Sequence, residues 1–238
     1  IVVLFFMDKK TAIITAASQG IGEACARKLS KLNYNLVIMS SSEKIYTLAD
    51  ELGCAGIKGS VTNPEDLEKT VELALSSFGC LDSVVNNTGH APKGDLLDIR
   101  DQEWLSAIDI LLMNVIRISR FIVPVMKKNG GSIVNISAFG AESPSLNFPT
   151  SSVVRSALTS YTKLFARRFG RHNIRMNNLL PGFVDSYPVT DEIRNSIPLK
   201  REASVNEISN GILFLLSDDS SYITGQNLKM DGSMVVTE

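Results

Sequence analysis

Cysteine and histidine are scarce in this chain of 238 residues, three of one and two of the other. Cys25, Cys54 and Cys80 share no metal-ligand spacing, which argues against a zinc site and a disulfide framework and fits a reducing, cytoplasmic setting. No activating motif surrounds any of the three, so none is read as a redox thiol. A charge excess is also missing: 24 Lys and Arg stand against 25 Asp and Glu. The cations are scattered, and their densest group, Arg167, Arg168 and Arg171, reads as a solvated helix face. A nucleic-acid partner, whose binding needs clustered cations, is therefore not expected. Apolar runs long enough to cross a bilayer are absent, and no membrane partner is expected. The opening Ile1-Val2-Val3-Leu4-Phe5-Phe6 is too short to span, and it lacks the basic flank and small-residue cleavage site of a signal peptide. Met7 reads as a natural start, with residues 1–6 as an N-terminal extension to a domain over 7–238.

What is present is an alternation of short apolar runs with longer helical patterns. Strands are expected at 12–14, 36–39, 55–57, 83–85, 132–136, 174–180 and 227–230. Helices are expected at 20–32, through Leu48 and Leu52, from Pro64 with Asn63 as its cap, and at 101–126, 151–169 and 207–216. Residues 181–198, with three prolines, read as a loop with a short helix. Strands alternating with helices imply a parallel sheet. The expectation is a single-domain α/β fold of the Rossmann type, a doubly wound parallel sheet of about seven strands with helices on both faces. No repeat, linker or low-complexity tract interrupts it.

The junction of the first strand and first helix reads Thr15-Ala16-Ala17-Ser18-Gln19-Gly20-Ile21-Gly22. Backbone N–H groups and a helix N-terminus at this place can meet a pyrophosphate. Gly20 would let backbone approach the phosphates, and Gly22 would let the helix pack closely on the sheet. Thr15, Ser18, Gln19, Gly20, Ile21 and Gly22 are thus candidate cofactor-binding residues. The second strand ends Met39-Ser40-Ser41-Ser42, with Lys44 nearby. An Asp or Glu there would bind a ribose 2′-hydroxyl and repel a 2′-phosphate. Its absence, with Ser40 and Ser41 as candidate contacts, favours NADP over NAD.

Four further motifs follow in order: Asn86-Asn87-Thr88-Gly89, Ile133-Val134-Asn135-Ile136-Ser137, Asn173 to Asn177 running on to Pro181-Gly182, and Ile223-Thr224-Gly225-Gln226 running on to Asp231-Gly232. With the glycine turn, they make the chain resemble the short-chain dehydrogenase/reductase family over residues 8–234, and most closely its β-ketoacyl-acyl-carrier-protein reductase-like branch. The family's turn has Gly where this chain has Ala16, an exchange expected to be tolerated at negative φ. The resemblance implies that Asn87, Gly89, Pro181, Gly182 and Ser186 also border a cofactor, with Ser186 at the nicotinamide amide. Ser60 stands where the family has an adenine-contacting Asp.

The resemblance also implies a chemistry: hydride transfer between a nicotinamide and a carbonyl or alcohol. Proton transfer comes from a Tyr whose pKa a Lys four residues on lowers, with a Ser and an Asn in support. Counted back from Pro181-Gly182, the Tyr position is Ser151 and the Lys position is Arg155. The Ser position is Ala138, beside Ser137, and the Asn position falls near Leu111, with Asn114 almost one turn on. None of the four usual residues is in place. Ser151 is far too weak an acid to replace a phenol, and Arg155 keeps positive charge and donors but does not deprotonate. Arg155, Ser151 and Ser137 are the family-position candidates, and Tyr187, in the loop that would close over substrate, is an outside one. His90, at the cleft mouth, is read first as a loop histidine and second as a proton carrier. Tyr161 lies about 80° round the helix from Ser151 and is expected in core or interface. No metal site is expected. Two functions remain open: an NAD(P)-linked oxidoreductase with a non-standard site, acting on a small molecule the sequence does not identify, and a catalytically silent NAD(P)-binding sensor or partner subunit. Apolar residues on several faces of the 101–127 and 151–169 helices, such as Ile116, Ile118, Phe121, Ile122, Val123 and Val125, suggest a homodimer or homotetramer.

Overall fold

The computed structural model describes residues 9–235, so the expected extension at 1–6 and the start at Met7 lie outside the described residues. Seven strands form one sheet: β1 (Thr11–Ile14), β2 (Asn35–Ser40), β3 (Ala55–Lys58), β4 (Ser83–Asn86), β5 (Gly131–Ile136), β6 (Ile174–Pro181) and β7 (Asn227–Met230). Every pairing is parallel, in the order β3-β2-β1-β4-β5-β6-β7. The helices are α1 (Gly20–Lys31), α2 (Lys44–Leu52), α3 (Pro64–Phe78), α4 (Asp101–Ile108), α5 (Asn114–Met126), α6 (Pro149–Phe169), α7 (Asp191–Ser196) and α8 (Val205–Leu216).

Strand alternation divides the core. Ala12, Ile14, Leu36 and Ile38 face α1, α2 and α8, whereas Ile13, Val37, Val84 and Ile133 face α3, α5 and α6. Because both faces are covered, β1 and β2 carry unbroken apolar runs, Ala12-Ile13-Ile14 and Leu36-Val37-Ile38-Met39, rather than alternating apolar with polar. Helix starts follow local chemistry. Asn63 accepts the Glu65 N–H at 2.9 Å, and Ser204 and Glu207 bond reciprocally at the start of α8. The order in which strands are added reverses between β1 and β4, and the loops at the strand C-termini there open a crevice, as expected at a topological switch point.

Three local features differ from expectation. α6 begins two residues early, at Pro149, a residue suited to a helix's first turn. The 101–126 segment is not one regular helix, because a π-helical turn (Asp109–Met113) joins α4 to α5. The wider turn packs Leu111 with Ala107 and Val154 and leaves Asn114 in the core, its Oδ1 accepting the Val115 N–H at 2.6 Å. Ile118, Ile122 and Val123 of α5 are core residues, and the exposed apolar side chains on these elements are Leu105, Val153 and Leu164.

Candidate functional site

The cleft beside the β1–α1 turn has a volume of about 980 Å³ and extends along α1. The turn is held from behind. Thr15 Oγ1 donates to the Asn87 carbonyl at 2.6 Å and accepts the Asn87 N–H at 3.0 Å, and Asn87 Nδ2 donates to the Ala16 carbonyl at 3.0 Å. Thr15 is buried, so it acts by fixing the turn, while Asn87 both fixes it and borders the cleft. Ala16 adopts φ +47°, not the negative φ expected for an Ala there. The left-handed conformation costs an L residue roughly 1–2 kcal/mol, so the family's Gly has a steric reason and Ala16 is strained.

Gly20 has φ +59°, and a Cβ there would lie 3.3 Å from Ser186 Cβ, which brings the 181–190 loop against the turn. At Gly22 a Cβ would approach Ala16 O to 2.6 Å and Asn87 Nδ2 to 2.9 Å, so this glycine permits close packing of helix on turn. Gln19 provides no side-chain cap to α1. The first N–H groups of α1 thus face the cleft without a side-chain acceptor, a donor set that suits a phosphate. Ser18 and Ser40 bond each other through their hydroxyls at 2.8 Å, and Ser40 Oγ also accepts the Ser42 N–H. Ser41 is exposed at the same rim, with Ser42 beside it. Gly89 borders the cleft, and nothing lies within 4 Å of a Cβ built on it. Gly182 packs on the Asp231 backbone, where a Cβ would come within 2.9 Å. Pro181 is buried at the end of β6, and Ser60 bonds Thr62 at 2.8 Å.

Two of the family-position residues, Ser151 and Arg155, meet on α6 near His90, which itself borders the cleft. Arg155 is 9% exposed, donating from Nε to Ser151 Oγ at 3.1 Å and from Nη1 to the Ile136 carbonyl at 2.6 Å. Among the described residues its Nη2 makes no hydrogen bond and no carboxylate pairs with it. Burial alone pushes its pKa down to about 10. The Ser137 hydroxyl, after β5, and the Thr88 hydroxyl, after the neighbouring β4, are both buried without a partner. Native structures seldom leave such groups unmatched, and a bound ligand is one ordinary partner. Ala138 adds no hydroxyl. At the places counted for the supporting Asn, Leu111 is core and Asn114 accepts its own neighbour's amide N–H.

Tyr187 and His90 come together, with ring centroids 5.3 Å apart in an edge-on contact. The His90 pKa is lowered by burial first, then by the charges of Lys93 and Arg155. Tyr161 is half-buried beside Phe165, away from the cleft. Two features went unnoticed in the sequence. Lys93 sits over the rings of Phe148 and Tyr187, at 4.6 and 5.5 Å. A ladder of amides also crosses four strands in register: Asn86 Nδ2 donates to Asn135, Asn135 to Asn178 and Asn178 to Asn227, at 2.8, 2.9 and 2.9 Å. Its only sequence signal is an Asn in each of four strands. Among the described residues there is no cluster of potential metal ligands and no helix long and apolar enough to cross a membrane.

A seven-stranded parallel sheet with an uncapped glycine turn at its first strand–helix junction defines a Rossmann-type α/β protein. The chain belongs to the short-chain dehydrogenase/reductase family of oxidoreductases. The family profile described as Enoyl-(Acyl carrier protein) reductase matches residues 15–234. Oxidoreductase UcpA of Salmonella typhimurium is 32% identical over 251 residues, covering 96% of this chain and 95% of that protein. The 3-oxoacyl-acyl-carrier-protein reductase FabG of Escherichia coli is 31% identical over 239 residues, covering 95% and 98%. Among solved structures, YwfH, an NADPH-dependent reductase involved in bacilysin biosynthesis, matches with a TM-score of 0.91 at 26% identity, over 97% of this chain and 100% of that one. The 3-ketoacyl-acyl-carrier-protein reductase of Brucella melitensis complexed with NADH also gives 0.91 at 26%, over 95% and 98%.

Proposed function

We propose that this protein is an NAD(P)-linked oxidoreductase acting on a small carbonyl or alcohol with a rebuilt catalytic site. The observation that carries the reading is an uncapped, glycine-lined helix N-terminus in the cleft together with the buried Arg155, whose charge reaches His90 at the cleft wall. The α1 N-terminus holds the pyrophosphate, Ser186 meets the nicotinamide amide, and Arg155 holds the nicotinamide ribose, its planar fork suited to two hydroxyls. The bound nicotinamide supplies or accepts a hydride. Ser137 offers its unpartnered hydroxyl to the substrate oxygen. Ser151 has no usable acidity, so the proton falls to the His90–Tyr187 pair. The absence of an acid at the end of β2, with Ser41, Ser42 and Lys44 nearby, favours NADP over NAD. Three unpaired cysteines suit the reducing cytoplasm. Exposed Leu105, Val153 and Leu164 suit a homodimer or homotetramer built on α4 and α6.

A second reading, a catalytically silent NAD(P)-binding sensor or partner subunit, is supported by Ser151, Arg155, Ala138 and Leu111 at the positions that the resemblance assigns to the family's catalytic set. Fluorescence titration with NADPH and NADH, followed by a carbonyl screen for oxidation of the bound form, separates the two. Tighter binding of NADPH and a measurable turnover are expected, and the combined Ser151→Tyr, Arg155→Lys and Ala138→Ser protein should turn over faster. Binding without turnover in either protein supports the silent reading, and absence of binding refutes both.

A further inference from the structure

We infer that the substrate pocket of this protein selects an organic anion, a carbonyl compound bearing a carboxylate, and that Lys93 recognises the charge. The inference rests on the reading that the region beside Ser151, Arg155 and His90 receives the substrate. Three segments meet there. The Thr150 hydroxyl, one residue before Ser151, donates to the Pro92 carbonyl at 2.5 Å and ties the loop carrying Lys93 to the first turn of α6. Phe148 lies just before that helix, and Tyr187 comes from the loop after β6. The Lys93 ammonium lies 4.6 Å from the Phe148 ring centroid and 5.5 Å from that of Tyr187. His90, which borders the cleft, meets the same Tyr187 ring at 5.3 Å.

Two aromatic faces hold an ammonium in place without neutralising it. Glu142 pairs with Lys229 and bonds Asn227, and Asp185, which borders the cleft, accepts the Val205 N–H, so both carboxylates are engaged elsewhere. Among the described residues no ion pair involves Lys93 or Arg155. Both cations act on one point of the cleft, since His90 feels the charge of each. An ammonium and a guanidinium only donate, so their complement is a group that only accepts. With Arg155 engaged by the nicotinamide ribose, a neutral carbonyl compound would leave the Lys93 charge unmatched. A carboxylate reaching Lys93, with the carbonyl beside Ser137, matches the set.

The test uses acetoacetate and its neutral methyl ester as probes, with binding measured by saturation-transfer NMR on the full chain, with and without NADPH. Acetoacetate should bind at least about tenfold more tightly than the ester, the size expected for one charged hydrogen bond. Lys93→Gln should abolish that preference, Lys93→Arg should keep it, and NADPH affinity should be the same in both variants, which also reports folding. Equal binding of the probes, binding of neither, or a preference unchanged in Lys93→Gln overturns the inference. Loss of NADPH binding with the acid preference intact refutes the cofactor reading and leaves the anion site standing.

Discussion

Replacing Arg155 by Met should make the unliganded protein more stable and its nucleotide complex weaker. Met has similar reach and no charge, and the side chain is 9% exposed. Burial lowers the Arg155 pKa to about 10. At about 1.4 kcal/mol for each tenfold change in proton affinity, holding the charge in the fold costs roughly 3 kcal/mol. Against this stands the Ile136 carbonyl, which loses its 2.6 Å donor. An unmatched buried carbonyl costs about 1–3 kcal/mol, which leaves a net gain of about 1 kcal/mol for Arg155→Met. For a chain of this length that is a rise in Tm of about 2–4 °C. The sign with pH is settled by the direction of the shift. Because the folded-state pKa is lowered, the penalty is complete near neutrality, where folded and unfolded chains are both charged, and is relieved only as pH rises through about 10. The gain in Tm should therefore be the same at pH 6 and pH 8. In the nucleotide titration the same variant should lose about 1–3 kcal/mol, the worth of a charged hydrogen bond. Ser151→Ala should leave affinity and any turnover within a few-fold. A variant that melts earlier and binds nucleotide normally would show that Arg155 is a structural residue and refute the reasoning.

Ala16→Gly should raise Tm by about 1–4 °C in a thermal scan, because relief of the left-handed strain, less the extra freedom of an unfolded Gly, leaves about 0.5–1 kcal/mol. Asn178→Ala should lower stability by about 2–4 kcal/mol in denaturant melts, since it strands partners on Asn135, Thr162 and Asn227 at once. Sedimentation at micromolar concentration should give a dimer or tetramer that Leu105→Glu with Leu164→Glu dissociates, and a wild-type monomer would refute the expected interface.

Order of elements, the parallel sheet and the place of the cleft were legible in the sequence, because each depends on local pattern. Apolar runs of strand length alternate with helical periodicity, and glycines stand at the first strand–helix junction. The pairing of Ser151 with Arg155 was legible too, because residues four apart on a regular helix share a face. Tertiary structure alone decided the rest. Ala16 takes a positive φ because Asn87, 71 residues away, holds its carbonyl and Gly22 packs beneath it. Four asparagines that look unrelated along the chain become one ladder only when strand register is set. Lys93 reads as a loop cation until Phe148 and Tyr187, from two other loops, arrive on either side of it. A residue type and its periodicity are local properties of the chain. A dihedral strained by a distant partner, a register and a charge left unmatched belong to contacts between segments far apart in sequence, and only the folded chain makes those contacts.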